Sequence, residues 1–274
     1  MFKKVAVIGT GLIGGSIALA IKKNKLAKEV VGVSRHEKSL LAARKMGAID
    51  KGSQDLSIVR DADLVILAMP VKTILDIAPK VARVISGKAI VCDVGSTKQD
   101  ILSKLDKLFP DFIGTHPMAG SEKRGMINAS AILFKGSLCI ITPGKNTNKL
   151  SLTKIKSLWL KLGARTECIS ASEHDKVVSL VSHLPHIAAF SLINSVPEKF
   201  FKFAASGLKD TTRIAASDAE VWADIFFSNS KNVLESIKLF KDNLNKIEAA
   251  VKAGDKARLS SILILAKNKR EKLK

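Results

Sequence analysis

Residues 5 to 8, Val-Ala-Val-Ile, make an apolar run too short for a helix, and Gly9-Thr10-Gly11-Leu12-Ile13-Gly14-Gly15-Ser16 follows without a break. Beyond it Ile17, Ala18, Ala20 and Ile21 recur at helical spacing. Strand, glycine turn and helix in that order constrain the fold more than any other stretch of the chain. Gly9 permits a tight turn, Gly11 lets a pyrophosphate come close to the backbone, and Gly14 lets the helix lie against the strand. The helix N-terminus turns free N–H groups and a partial positive charge toward the same phosphates. The stretch therefore predicts a dinucleotide site built on Gly9, Gly11, Leu12, Ile13 and Gly14.

Strand-like and helix-like segments then alternate. Val30 to Val33, Asp63 to Ala68, Ala89 to Cys92, Phe112-Ile113, Leu138 to Ile141 and Thr166 to Ile169 read as strands. Ser39 to Met46, the face Val71, Ile74, Leu75, Ala78, Val81 and Ala82 (with Pro79 expected to bend it), the face Ile101, Leu102, Leu105 and Leu108, and Leu150 to Leu162 read as helices. Such alternation predicts an α/β fold with an N-terminal Rossmann-type, doubly wound, mostly parallel sheet, whose ligands gather outside the carboxyl ends of the strands. Met69, Pro70, Gly95, Ser96 and His116 would collect there with the glycines. The second strand runs into Ser34-Arg35-His36-Glu37, where a carboxylate for the adenosine ribose would be expected. A hydroxyl and a guanidinium there suit a 2'-phosphate and favour NADP over NAD. The alternative is an exposed Arg35 with Glu37 reaching back to the ribose.

From Ser172 onward the pattern is helical, through an uncharged stretch, then Ala219 to Ala253, then Lys256 to Asn268. We expect a dinucleotide-binding domain over residues 1–171 and an all-helical substrate-binding and dimerisation domain over 172–274, opened by the cap Ser170-x-x-Glu173. Val177 to Val196 is twenty residues without Lys, Arg, Asp or Glu, the length of a membrane span. Its serines, its two histidines, Asn194 and the central Pro185 favour a helix buried in a core or a dimer interface. The chain carries 45 Lys and Arg against 25 Asp and Glu, but they are scattered, and 11 Phe, no Tyr and 2 Trp leave no aromatic-basic interleaving. Nucleic acid is thus not the expected partner, and the excess charge suits capture of a small anion. Cys92, Cys139 and Cys168 have neither disulfide nor zinc spacing and read as free thiols in a reducing, cytoplasmic setting.

Three of the five histidines, His174, His183 and His186, fall within thirteen residues. A metal reading is open to them, but Pro185 interrupts the ladder between the last two, and a polar pocket is expected instead. Arg213, in Gly207-Leu-Lys-Asp-Thr-Thr-Arg213, is a candidate anion clamp. His116 precedes Pro117 and, taken alone, begins a turn.

Together the blocks Gly9 to Ser16, Asp93-Val-Gly-Ser-Thr-Lys98, Gly114-Thr-His-Pro-Met-Ala-Gly120, His174-Asp175, Ser182-His-Leu-Pro-His186 and Gly207 to Ala215 resemble the prephenate and arogenate dehydrogenases of tyrosine biosynthesis over essentially the whole chain. The resemblance implies a homodimeric oxidoreductase that decarboxylates prephenate or arogenate with NADP or NAD. It implies His116 as the catalytic histidine with Ser96 as its partner. Arg213, His186, His183 and Ser121 would face the substrate, and Glu122 and Asp175 would be the acids that hold or gate Arg213. Glu122 is also the candidate for preferring arogenate, whose side chain carries an ammonium.

Overall fold

The computed structural model of the chain describes residues 2–120, 123–145 and 147–273. The expectations for Ser121 and Glu122 lie outside them. The chain begins β1 (Phe2–Ile8), α1 (Leu12–Lys23), β2 (Ala27–Val33), α2 (Glu37–Lys45), β3 (Lys51–Ser53), β4 (Leu64–Leu67), α3 (Val71–Ala82), β5 (Ile90–Asp93), α4 (Gln99–Leu108) and β6 (Phe112–Pro117). It continues through β7 (Leu138–Pro143), α5 (Lys149–Lys161) and β8 (Arg165–Cys168). The strands form one sheet in the order β3-β2-β1-β4-β5-β6-β7-β8. All neighbours pair in parallel except β6 and β7, which run antiparallel. The chain reverses its direction of travel across the sheet between β1 and β4, and the carboxyl edge of that pair is the ligand-binding crevice of such sheets.

Both faces of the sheet are covered because the strand side chains alternate between two apolar layers. Val5 and Val7 of β1 pack with Ile17 and Ile21 of α1, while Ala6 and Ile8 pack with Ile74 and Val81 of α3. Gly14 and Gly15 lie inside α1 and cost it roughly 0.5–1 kcal/mol each. Burial of Ile17 and Ile21, both at 0% exposure, contributes roughly 1.5–3 kcal/mol each and outweighs that cost. The glycines are needed for clearance: a Cβ on Gly14 would stand 2.0 Å from the Gly9 carbonyl oxygen, and one on Gly15 would stand 2.3 Å from the Met126 sulfur.

Several boundaries differ from those expected. β3 is a polar three-residue edge strand with no hydrophobic pattern to announce it. β6 runs on to Pro117, so His116 sits within the strand; its parallel neighbour stops at Asp93↔Gly114, but antiparallel β7 carries the ladder onward through His116↔Ile140. α3 continues through Pro79.

The rest is helical: α6 (Ala171–Val178), α7 (Leu184–Asn194), α8 (Ser206–Thr212), α9 (Ala219–Ser228), α10 (Ser230–Lys252) and α11 (Lys256–Glu271). Ser170 caps α6, its hydroxyl accepting the Glu173 N–H at 3.1 Å. A π-helical turn, Ser179–His183, joins α6 to α7 and sets Pro185 just behind it, near the start of α7. The joined helix, Ala171–Asn194, is long and apolar enough to cross a membrane by length and composition, and only 22% of its most apolar window is buried. The uncharged segment is therefore not a core helix of this single chain. The one helix expected over Ala219 to Ala253 is broken at Asn229, which leaves helical geometry and donates its side-chain amide to the Asp175 carbonyl at 2.7 Å.

Replacing Gly14 by alanine forces α1 away from the Gly9 turn. We expect a loss of about 1–3 kcal/mol in urea unfolding; an unchanged midpoint would mean that helix and turn separate freely.

Candidate active site

Two clefts of about 400 Å³ each meet at the carboxyl edge of the sheet. The first lies over the switch point and is lined by Gly11, Leu12, Ile13, Met69, Pro70 and Gly95, among others. Gly9 makes its turn at φ +102°, and its N–H donates to the Val33 carbonyl at 2.8 Å. A Cβ on Gly11 would meet no protein atom within 4 Å, so the side chain omitted there leaves open space. No side chain caps α1 and no acidic residue stands in its first turn, so its leading N–H groups stay free for an anion. These features fit a dinucleotide pyrophosphate. Ser34 and Arg35 follow β2, one strand over, with Arg35 exposed. The lining of the cleft stops short of them.

The second cleft holds His116, His183, His186 and Arg213. Ser96, Ser217, Trp222 and Ile225 line both clefts, so one space runs from the dinucleotide edge to the histidines. The π-helical turn ends at His183, and His186 follows one turn later in α7. The His186 ring stacks on Trp222 of α9, with centroids 3.5 Å apart, and its Nδ1 lies 2.9 Å from the Ser182 carbonyl. Burial pushes the His183 imidazole down to about 4 and lowers that of His186.

His116 is half-buried at the end of β6. Its Nδ1 lies 2.8 Å from Nε2 of His174, whose Nδ1 lies 2.7 Å from Oδ1 of Asp175. Burial first, then the neighbouring His174, Lys98 and His183, hold His116 well below the usual imidazole range, so the ring is neutral at neutral pH. Asp175 is 1% exposed; its Oδ1 accepts the Lys98 N–H at 2.7 Å and its Oδ2 the Gln99 N–H at 2.9 Å. Its oxygens bond to the loop after β5 and to His174, whereas the family resemblance implies a role in holding or gating Arg213. Among the described residues no ion pair to Arg213 occurs. The Lys98 side chain is itself fully buried and pairs with Asp93. Burial raises the Asp93 carboxyl, while Lys98 and the Gly95 N–H oppose the shift.

The fold thus collects Gly11 to Ile13, Met69, Pro70, Gly95, Ser96, His116, His183, His186 and Arg213 from the sequence-based expectations. Lys98, Trp222 and Asn229 join the site's framework without having been singled out for it. His174 was marked by its histidine cluster and by the His174-Asp175 block, but the 58 residues separating it from His116 hide their contact. Among the described residues no group of three or more His, Cys, Asp or Glu side chains could hold a metal ion. A larger cleft of about 510 Å³ opens at the amino ends of the strands, between Phe2, Asp63, Lys88 and Lys154. It contains no histidine and lies away from the switch point, so we assign the chemistry to the smaller pair.

A doubly wound sheet with an open, uncapped glycine turn, joined through Ser96 to a histidine-lined cleft under a helical second half, defines a dinucleotide-dependent dehydrogenase. Comparison with known proteins narrows the class. Residues 17–168 match the family model for the prephenate dehydrogenase nucleotide-binding domain, and residues 170–265 match that for the prephenate dehydrogenase dimerization domain. Prephenate dehydrogenase of Bacillus subtilis is 37% identical over 98% of this chain and 76% of its own. Cyclohexadienyl dehydrogenase of Zymomonas mobilis is 35% identical over 93% of this chain and 90% of its own. A crystal structure of prephenate dehydrogenase from A. aeolicus, in complex with hydroxyphenyl propionate and NAD+, superposes with a TM-score of 0.95 at 34% identity, covering 100% of this chain and 99% of the other. This chain belongs to the prephenate dehydrogenase family and is an oxidoreductase.

The lowered His183 pKa has a signed consequence. The unfolded chain binds more protons than the folded one between about 4 and the ordinary 6.5, so stability rises with pH across that window and is lost on acidification through it. His186, His174 and His116 shift the same way. The thermal midpoint of His183→Asn should fall less steeply than that of the wild type as pH drops through this range. Equal slopes would mean that His183 titrates like an exposed imidazole.

Proposed function

We propose that this chain oxidises and decarboxylates prephenate, and in the same site arogenate, by removing a hydride and the ring carboxylate so that the ring becomes aromatic. A nicotinamide dinucleotide would supply the hydride acceptor. Gly9, Gly11, Gly14 and the first turn of α1 would hold its pyrophosphate, and Leu12, Ile13, Met69, Pro70 and Gly95 line the cleft that would take it. His116, neutral by virtue of its burial, accepts the proton of the ring hydroxyl as carbonyl character develops, and Ser96 orients that hydroxyl. Arg213 takes a substrate carboxylate, with His183 and His186 lining the same cleft. The family resemblance also assigns Ser121 and Glu122 to substrate binding, and Glu122 is the residue to examine for an arogenate preference. The observation that carries the reading is that Ser96 lines both the dinucleotide cleft and the cleft holding His116. It draws support from relatives named for this activity at 35–37% identity.

The division near residue 171 into a dinucleotide-binding half and a substrate-binding and dimerisation half is part of the proposal. The protein works as a homodimer in the cytoplasm, its partner a second copy laid against the exposed side chains Leu180, Val181, Phe227 and Leu234. The dimerization-domain match supports that choice.

Formation of the reduced dinucleotide, followed by absorbance with prephenate and arogenate in turn, tests the activity; silence with both substrates would overturn it. His116→Asn should lower kcat by ~10²-fold or more with substrate binding largely kept. For the dinucleotide, Arg35 at the end of β2 favours NADP, although the A. aeolicus relative was captured with NAD+. Arg35→Ala should raise KM for NADP selectively. Equal losses with NADP and NAD would sink that preference.

A further inference from the structure

The chain of bonds behind His116 runs in one direction only. Asp175 Oδ1 accepts the Lys98 N–H at 2.7 Å and its Oδ2 accepts the Gln99 N–H at 2.9 Å, so this carboxylate is an acceptor throughout. His174 Nδ1, 2.7 Å from Oδ1, must then be the donor. His174 is wholly buried, and burial lowers its pKa against the pull of Asp175, so the ring is neutral and carries its single proton on Nδ1. Its Nε2 is bare and can only accept. His116 Nδ1, 2.8 Å away, must therefore carry a proton. A neutral His116 protonated at Nδ1 has a bare Nε2.

We infer that His174 and Asp175 are a positioning pair, which fixes His116 in the tautomer whose Nε2 lone pair is free to take a proton from the substrate. The inference rests on the proposed reading of His116 as the base. The opposite tautomer would set two lone pairs against each other at 2.8 Å in a buried place, with no other partner for His174 Nε2 among the bonds described. When Nε2 takes the substrate proton, His116 gains a positive charge and still donates from Nδ1 into His174. Asp175 stands behind with its negative charge. A buried carboxylate orienting a catalytic imidazole is a known device; here a second imidazole stands between them. The titratable groups facing His116 are Lys98, His174 and His183, and those facing His174 are Asp175, Lys98 and Asp93. The Lys98 cation opposes a resting charge on either ring. Asp175 also grips the loop that carries Ser96 two residues before Lys98, so one carboxylate sets the base and steadies its partner.

Two variants separate positioning from bulk structure. In His174→Gln the amide oxygen can still accept from His116 Nδ1; in His174→Leu nothing can. Imidazole nitrogen NMR on isotope-labelled protein without substrate reads the tautomer directly, and steady-state kinetics read its use. We expect the wild type to carry the His116 proton on Nδ1 and His174→Leu to lose that preference, with kcat lower by ~10²-fold and substrate KM little changed. His174→Gln should recover at least about tenfold of the lost rate. A wild-type His116 protonated on Nε2, or a tautomer unchanged in His174→Leu, would overturn the inference. If the leucine variant does not fold, the wild-type spectrum and the glutamine variant still decide. A protein inactive on both substrates but holding the Nδ1 tautomer would remove the proposed reaction and leave the positioning pair standing.

Discussion

The Asp175 carboxylate is where the two halves of this molecule are joined. It projects from the first helix of the second half, and its oxygens accept two successive backbone N–H groups from the loop that follows β5. A buried carboxylate without such donors would be costly; here the donors come from the opposite half, so the charge is tolerable only when the halves are together. Asn229 donates to the Asp175 backbone carbonyl and brings the α9–α10 corner to the same point. The bond to His174, and through it the setting of His116, follows from that joint. The site lies at a seam and has its most buried polar members there.

The sheet supplies the other side of the seam, and its logic was largely legible in the chain. The run Val5 to Ile8 with the glycines behind it specified strand, turn and helix, and the clearances at Gly9 and Gly14 bear out the need for glycine at both. The alternation of apolar segments was equally plain, because strands buried on both faces have no polar positions to blur them. Polar edges were harder. The Lys51–Ser53 strand has no apolar side chain to mark it, and β6 owes its last residues to pairing with a strand more than twenty positions later.

Within the site, residues that announce themselves by type could be named from the sequence, and those placed by contact could not. His116, Ser96 and Arg213 carry reactive groups in distinctive blocks. His174 looked like a member of a histidine cluster, yet it bonds with a residue on the far side of the sheet's edge. Lys98 was part of a recognisable block, but nothing local foretells a lysine at 0% exposure paired with Asp93. Asp175 is the instructive case, since kinship pointed to Arg213 while hydrogen-bond accounting assigns its oxygens elsewhere.

The helix that delivers His183 and His186 is also the one whose outer side is unfinished. Val177, Leu180, Val181 and Leu192 stand 37% to 62% exposed along it, on the same rod whose inner side carries the imidazoles. The exposed apolar flank and the two rings are thus carried by one helical rod, so a substitution on that flank acts on the element that also places His183 and His186.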